Sequence, residues 1–288
     1  MNSMSMMSPA TLRHSIVRDV AASIAEDEGP GDLTAALIPP ALNASAAVVA
    51  RHDAVLAGRP WVEETLRQID PLLACEWSQS EGEWVLCDRD ATVLRIRGPA
   101  RSLMTAERTL LNWLQTLSGV ATRCRHYADL VTHTGVRLLD TRKTLPGLRT
   151  AQKYAVTLGG CHNHRIGLYD GILIKENHIA ASGSITSAVR QARRQSSSVT
   201  VEVEAETTAE VDEAVAAGVD IVMLDEFTLE TTREMVALYA DSVRFEASGG
   251  VTEENLPSIA ETGVDFISMG VLTKDVTAVD LSMRVTEE

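Results

Sequence analysis

Five side chains suited to holding anions, Arg142, Lys143, His164, Arg165 and Lys175, fall within one short stretch of an otherwise acidic chain. Residues 137–178 contain seven Lys/Arg and three Asp/Glu, a local balance of 7 − 3 = +4, while the 288-residue chain carries −14 and the remainder therefore −18. A cationic pocket in an acidic body concentrates small anions and leaves no broad basic face for nucleic acid or anionic lipid. The expected ligand is small and polyanionic.

Arg142 can fork a carboxylate through two hydrogen bonds, and Lys143 beside it adds a point charge. Both precede a Thr144-Leu145-Pro146-Gly147 turn, so a solvated loop with two surface cations is the equal alternative. His164 and Arg165 follow Gly159-Gly160, a backbone that lets a polyanion come close. There His164 is either a donor to a carboxylate or a satisfied structural histidine. Lys175 ends an apolar run and must carry its ammonium to the rim, where it meets an anion or serves as a Schiff-base amine. Glu204 and Asp225 end successive apolar runs and can hold sugar hydroxyls or a hydrated Mg2+, do acid–base work on a glycosidic bond, or pair with Lys175. Ser248-Gly249-Gly250 and Gly270 offer backbone N–H groups to a phosphate. Residues 26–34 read as an acidic solvated turn capped by Asp32 or Thr34. The P-loop, G-x-G-x-x-G and G-x-S-x-G patterns are missing.

These groups need a scaffold. A chain of this length with 45% hydrophobic and 23% charged residues can bury a full core as one large or two modest domains. Residues 15–27 are patterned as a helix, and short β-rich runs at 46–51, 75–78, 83–87 and 92–98 predict an α+β domain with an antiparallel sheet. Residues 102–131 have helical spacing, with Ser118-Gly119 expected to split them into two helices. From 136 the rhythm changes to apolar runs at 136–141, 171–176, 199–205, 219–225, 243–248 and 264–270. Amphipathic segments such as 208–217 and 253–262 lie between them, each followed by a glycine, Gly218 or Gly263, suited to a helix C-cap. This alternation predicts parallel βαβ units in a closed or nearly closed barrel. Five of the six runs end on, or run straight into, a charged group, at Asp140-Thr141-Arg142, Lys175-Glu176, Glu202 and Glu204, Asp225-Glu226, and Glu246 before Ser248, so one barrel mouth would collect them. The four cysteines form no C-x-x-C pair and suit a reducing cytosol. Residues 1–9 read as a frayed tail without a signal pattern, and no apolar run reaches the about 18 residues of a membrane span.

Taken in order, several motifs carry a resemblance. They are 140–149 (DTRKTLPGLR), 153–156 (KYAV), 163–168 (NHRIGL), 173–178 (LIKENH), 223–225 (MLD), 246–250 (EASGG) and 263–268 (GVDFIS). Upstream come Glu26-Asp27 with 31–34 (GDLT), 107–109 (ERT) with Leu111-Asn112, and 117–119 (LSG). From about residue 16 to 283 the chain resembles the quinolinate phosphoribosyltransferase family, also called carboxylating nicotinate-nucleotide pyrophosphorylase. That resemblance implies an α/β fold: an N-terminal open-faced α/β sandwich over 1–120, completed by the tail at about 275–288, and an incomplete α/β barrel over 121–274. It also implies a cytoplasmic homodimer in which Arg108 reaches into the partner's site. Thr141, Arg142, Lys143, His164, Arg165 and Lys175 would surround the quinolinate carboxylates and the pyrophosphate of phosphoribosyl pyrophosphate. Glu204 and Asp225 would engage the ribose and Mg2+, with Ser248, Gly249, Gly250 and Gly270 on the 5′-phosphate. Lys143, Lys175, Glu204 and Asp225 would be the catalytic groups. The implied reaction yields nicotinate mononucleotide, pyrophosphate and CO2 for NAD biosynthesis. Two departures stand out: Cys161 where the family often has a third glycine, and Glu226 where Asn is common. A Schiff-base lyase centred on Lys175 and a molybdenum-transport-associated relative are the rival readings; retention of the whole cationic set, Arg108 included, argues against the second.

Overall fold

The computed structural model describes residues 7–87 and 91–287, so residues 1–6 of the expected frayed tail lie outside the described residues. Ser8 and Pro9, also assigned to that tail, instead start a helix. Ser8 accepts the Thr11 N–H as N-cap and Pro9 opens helix Pro9–Glu28, the placement in which proline gives up no helical hydrogen bond.

The strands that follow are β1 (Asn43–Ala50), β2 (Ala54–Val55), β3 (Ala74–Trp77), β4 (Trp84–Val85) and β5 (Thr92–Pro99). Next come β6 (Arg137–Leu139), β7 (Ile172–Ile174), β8 (Val201–Ala205), β9 (Ile221–Asp225), β10 (Arg244–Ser248), β11 (Phe266–Ser268) and β12 (Leu281–Glu287). An antiparallel sheet has the order β12-β1-β5-β3. Ala44, Ala46, Val48 and Ala50 alternate along β1 and bury with Leu94 and Ile96 of β5 against Val62, Leu66, Leu103, Leu110 and Leu114 of two helices, Arg59–Ile69 and Ala100–Leu130. Each of the valine, leucine and isoleucine side chains contributes about 1.5–3 kcal/mol when fully buried, and each alanine less. Arg95 and Arg97 on the opposite face of β5 stay exposed, so helices cover one side of the sheet, an open-faced sandwich.

Helix Ala100–Leu130 runs unbroken through Ser118-Gly119, contrary to the expected split. Ser118 Oγ donates to the Ala57 carbonyl and accepts the Ala57 N–H. Gly119 lets the Thr277 carbonyl lie where a Cβ would stand. The pair marks a place where other segments dock onto the helix rather than a break in it.

Six described strands form a wholly parallel sheet in the order β6-β11-β10-β9-β8-β7. Beyond β6, the isolated parallel bridge Leu139↔His162 extends the pairing by one residue. The barrel is therefore incomplete, open between the edge strands β6 and β7. Period-two alternation sends Val201, Val203, Ala205, Val222, Leu224, Phe245 and Ala247 to the outer face, where they are buried. Glu202, Glu204, Met223, Asp225, Glu246 and Ser248 occupy the inner face, and Leu139, Ile221 and Phe266 form a small apolar cluster there. Helix Ile185–Gln195 shows the matching pattern, burying Ile185, Ala188, Val189 and Ala192. Helix Thr208–Ala217 matches its sequence expectation, with a Thr207/Glu210 capping box and Gly218 at φ 77. The expected helix over 253–262 shortens to Leu256–Ala260, because Asn255 is engaged in a turn, accepting from Thr252 N and donating to the Gly250 carbonyl.

The chain divides into two compact units. One comprises 7–125, 144–160 and the chain from 272 onward, and the other 126–143 and 161–271. Residues 144–160 thus belong to the unit built around the antiparallel sheet, although the sequence reading put them in the 121–274 barrel. Tyr154 explains why: its ring lies 5.3 Å from that of Trp61, which stacks at 5.9 Å on Trp113. Among the described residues no helix is long and apolar enough to cross a membrane.

Candidate active site

All six strands of the parallel sheet point the same way, so the residues at their C-terminal ends share one edge. After β6, fully buried Asp140 accepts Asn163 Nδ2 at 2.7 Å and the His164 N–H at 2.9 Å, tying residues 163–164 beside the strand end. Thr141 Oγ1 accepts the Lys143 N–H at 3.0 Å and shapes the turn that displays Arg142 and Lys143, both exposed.

Arg165 is partly buried, and its Nη1 donates to the Gly171 carbonyl at 3.2 Å. Burial first, and then the neighbouring Arg142 charge, push its guanidinium below the ordinary arginine value, while Glu202 and Asp170 act in the opposite sense. Two guanidinium groups close enough to repel define a place where an anion is favoured. Asp170 accepts from Ile166 N and Gly167 N and closes the loop beneath. After β7, Lys175 forms an ion pair with Glu204 of β8.

Register brings the remaining groups together. Glu204 lies opposite Met223, two residues before Asp225, and Asp225 lies opposite Ser248. The Glu226 N–H donates to the Ser248 carbonyl at 3.1 Å, and Glu226 itself takes a left-handed φ of 57°. Gly249 has φ +86°, and a Cβ on it would lie 2.6 Å from Glu226 Cγ and 3.0 Å from Asp225 Oδ1. Only glycine lets this turn pass so close to the carboxylate. Gly270 follows β11, whose Ile267 pairs with Ala247 of β10, so it stands at the same sheet edge. Arg108 belongs to the other unit, exposed on helix Ala100–Leu130. Cys161 is buried at 2% exposure, in keeping with a packing role.

One group was overlooked by sequence reasoning. Glu202 and Glu246, noted only as charges near strand ends, are 3% and 0% exposed on the inner face. His164 Nε2 lies 3.0 Å from Glu202 Oε2 and 3.6 Å from Glu246 Oε2, and His164 Nδ1 accepts the Arg165 N–H at 2.7 Å. Both ring nitrogens are thus turned to protein groups. Burial pushes Glu202 up to about 7, and burial followed by the Glu202 charge pushes Glu246 up to about 8. The signal was present in the alternation of VEVEA, which places Glu202 on the same face as Glu204.

Four cations, two partly exposed carboxylates and a glycine turn on one sheet edge can hold a small molecule bearing several negative charges and a hydroxyl-rich portion. Residues 32–118 match the N-terminal domain of quinolinate phosphoribosyl transferase, and residues 120–284 match its C-terminal domain. The chain belongs to the quinolinate phosphoribosyltransferase family. Within it, a probable carboxylating nicotinate-nucleotide pyrophosphorylase of Bacillus subtilis (strain 168) is 41% identical over 262 residues, 91% of this chain and 90% of its own. The chloroplastic carboxylating nicotinate-nucleotide pyrophosphorylase of Arabidopsis thaliana is 36% identical over 307 residues, 99% of this chain and 87% of its own. The solved nicotinate-nucleotide pyrophosphorylase of Francisella tularensis aligns with a TM-score of 0.92 at 41% identity, covering 99% of this chain and 98% of that one. Membership of this phosphoribosyltransferase family fits the polyanion-binding edge, and the lyase reading is not favoured.

Proposed function

We propose that this protein is a carboxylating nicotinate-nucleotide pyrophosphorylase, which joins quinolinate to the phosphoribosyl group of phosphoribosyl pyrophosphate and releases pyrophosphate and CO2 in NAD biosynthesis. The observation that carries the reading is the shared strand edge, which collects Arg142, Arg165, the Lys175–Glu204 pair and Asp225. A pyridine dicarboxylate suits the paired guanidinium groups, with Lys143 and Lys175 holding the pyrophosphate. Thr141 shapes that turn, and Ser248, Gly249, Gly250 and Gly270 receive the 5′-phosphate.

The pyridine nitrogen attacks C1 of the ribose as pyrophosphate leaves. Glu204 and Asp225 orient the ribose hydroxyls and offset the positive charge that grows on the sugar. The pyridinium nitrogen then draws the electron pair freed when the adjacent carboxylate departs as CO2, and that ring carbon takes up a proton. No side chain has to abstract a proton, as suits an edge rich in cations.

Glu204 and Asp225 present hard oxygen donors, only partly covered, on neighbouring strands. That set fits a hydrated Mg2+ held by few protein ligands, which supplies charge neutralisation to the departing pyrophosphate when bound. Arg108 completes the site from a second subunit of a cytoplasmic homodimer. Its exposure on a long helix supports that role.

Incubation of the protein with quinolinate, phosphoribosyl pyrophosphate and Mg2+ is expected to yield nicotinate mononucleotide and CO2 in equal amounts. Absence of both products from folded protein would overturn the assignment.

A further inference from the structure

Arg165 is the site cation with most reason to move. Burial first, and then the Arg142 charge, work against its guanidinium, and a cavity of about 30 Å³ bordered by His164, Asp170 and Thr200 lies against it. A long side chain under like-charge repulsion, with space beside it, has other places to go unless it is held.

The loop that follows does the holding. Asp170 Oδ2 accepts the Ile166 N–H at 2.7 Å, and Oδ1 accepts the Gly167 N–H at 2.9 Å. Two consecutive backbone donors thus engage both oxygens of one carboxylate, and residues 166–170 close into a tight loop. At its start the Arg165 N–H donates to His164 Nδ1 at 2.7 Å, and at its end the Gly171 carbonyl accepts Arg165 Nη1 at 3.2 Å. A Cβ on Gly171 would stand 3.5 Å from Arg165 Cβ, so the two ends of the loop lie against each other. Closure by Asp170 is what returns the Gly171 carbonyl to a side chain six residues earlier. The contact uses one of five guanidinium donors, so the fork can still take a carboxylate through two others. The Asp170 charge also favours the charged form of Arg165. Asparagine could not replace it, because it has one acceptor oxygen and would turn an amide donor toward the second N–H.

We infer that Asp170 is a positioning residue: its carboxylate latches the 165–171 loop and so holds Arg165, before a ligand arrives, where it takes a substrate carboxylate. The inference deepens the phosphoribosyl-transfer reading and rests on it for the identity of that substrate, quinolinate. A guanidinium already in place spares the ligand the cost of ordering it, so the latch acts on quinolinate affinity rather than on the chemical step.

Nitrogen-15 relaxation of the unliganded protein reads the latch without reference to activity. Arg165 Nε should be as rigid as the surrounding backbone in the parent and mobile in Asp170→Asn. Equal rigidity in the variant would overturn the inference, and an Arg165 already mobile in the parent would do so with no variant needed. In kinetics, Asp170→Asn should raise the KM for quinolinate about tenfold or more, with kcat and the KM for phosphoribosyl pyrophosphate within about threefold of the parent. A merely structural role would instead reduce the active fraction and lower kcat with both KM values unchanged; that result refutes the inference, as does an unchanged quinolinate KM. Should the parent fail to turn over quinolinate, the functional reading fails while the Arg165 relaxation still judges the latch. Should Asp170→Asn not fold, the parent measurement decides.

Discussion

Glu246→Gln should change how stability depends on pH, and the structure fixes both the sign and the size. Burial holds the Glu246 carboxyl up at about 8 in the folded protein, against 4.5 as its ordinary value. Between those two values the folded chain keeps a proton that the unfolded chain has released. Stability contributed at this site is therefore intact below the unfolded value and is lost as pH rises toward the folded one, at about 1.4 kcal/mol per pH unit. Across the window the loss is on the order of 5 kcal/mol, and by pH 7 on the order of 3. Glutamine cannot ionise and fills the same space, so the variant should match the parent near pH 4.5 and exceed it increasingly toward pH 8. Urea unfolding of both proteins at pH 5, 6, 7 and 8 provides the comparison, since titration of groups other than the neighbouring Glu202 cancels in the difference. Parallel profiles would show that Glu246 is already ionised in the fold, and the account of the buried pair would fail.

Other substitutions probe the strand edge. Arg142→Ala should weaken quinolinate binding about ten- to a hundredfold through lost charge-assisted hydrogen bonds while barely moving the melting temperature, as calorimetric titration and thermal denaturation together would reveal. Glu226→Asn should stabilise the protein by about 0.5–1 kcal/mol, because Asn tolerates the left-handed backbone at φ 57° better than Glu; an unchanged urea midpoint would contradict this. Gly249→Ala should lower affinity for phosphoribosyl pyrophosphate, since the added carbon would press on Asp225 and Glu226, with a loss of at least about tenfold in kcat/KM expected and parent-like kinetics as the contrary result.

Much of the parallel sheet could be read from residue order alone. Each apolar run recurs as a strand, and Lys175, Glu204, Asp225 and Ser248 stand at or beside strand ends. Parallel pairing then carries charges far apart in the chain to one edge, which is why strand-end charges were informative. What escaped depended on contacts between distant segments. Nothing near Ser118-Gly119 reveals that Ala57 and Thr277 will lie against the helix there, so a docking notch looked like a helix break. The attachment of 144–160 to the antiparallel-sheet unit hangs on Tyr154 meeting Trp61, more than ninety positions earlier. Glu202 and Glu246 were visible as charges, but their significance lies in depth, which alternation assigns to a face without saying how deep it is buried.

The pairing of β12 with β1 has a consequence for how the chain is made. During synthesis the β1 margin of the antiparallel sheet waits for a partner encoded beyond all six parallel strands, so the nascent protein carries a bare, alanine- and valine-rich ribbon until Leu281–Glu287 has been made. Such a margin invites pairing with another nascent molecule. Shortening the chain before Leu281 would make that transient exposure permanent, and the resulting protein should be lost to aggregates even though every group at the catalytic edge is still encoded.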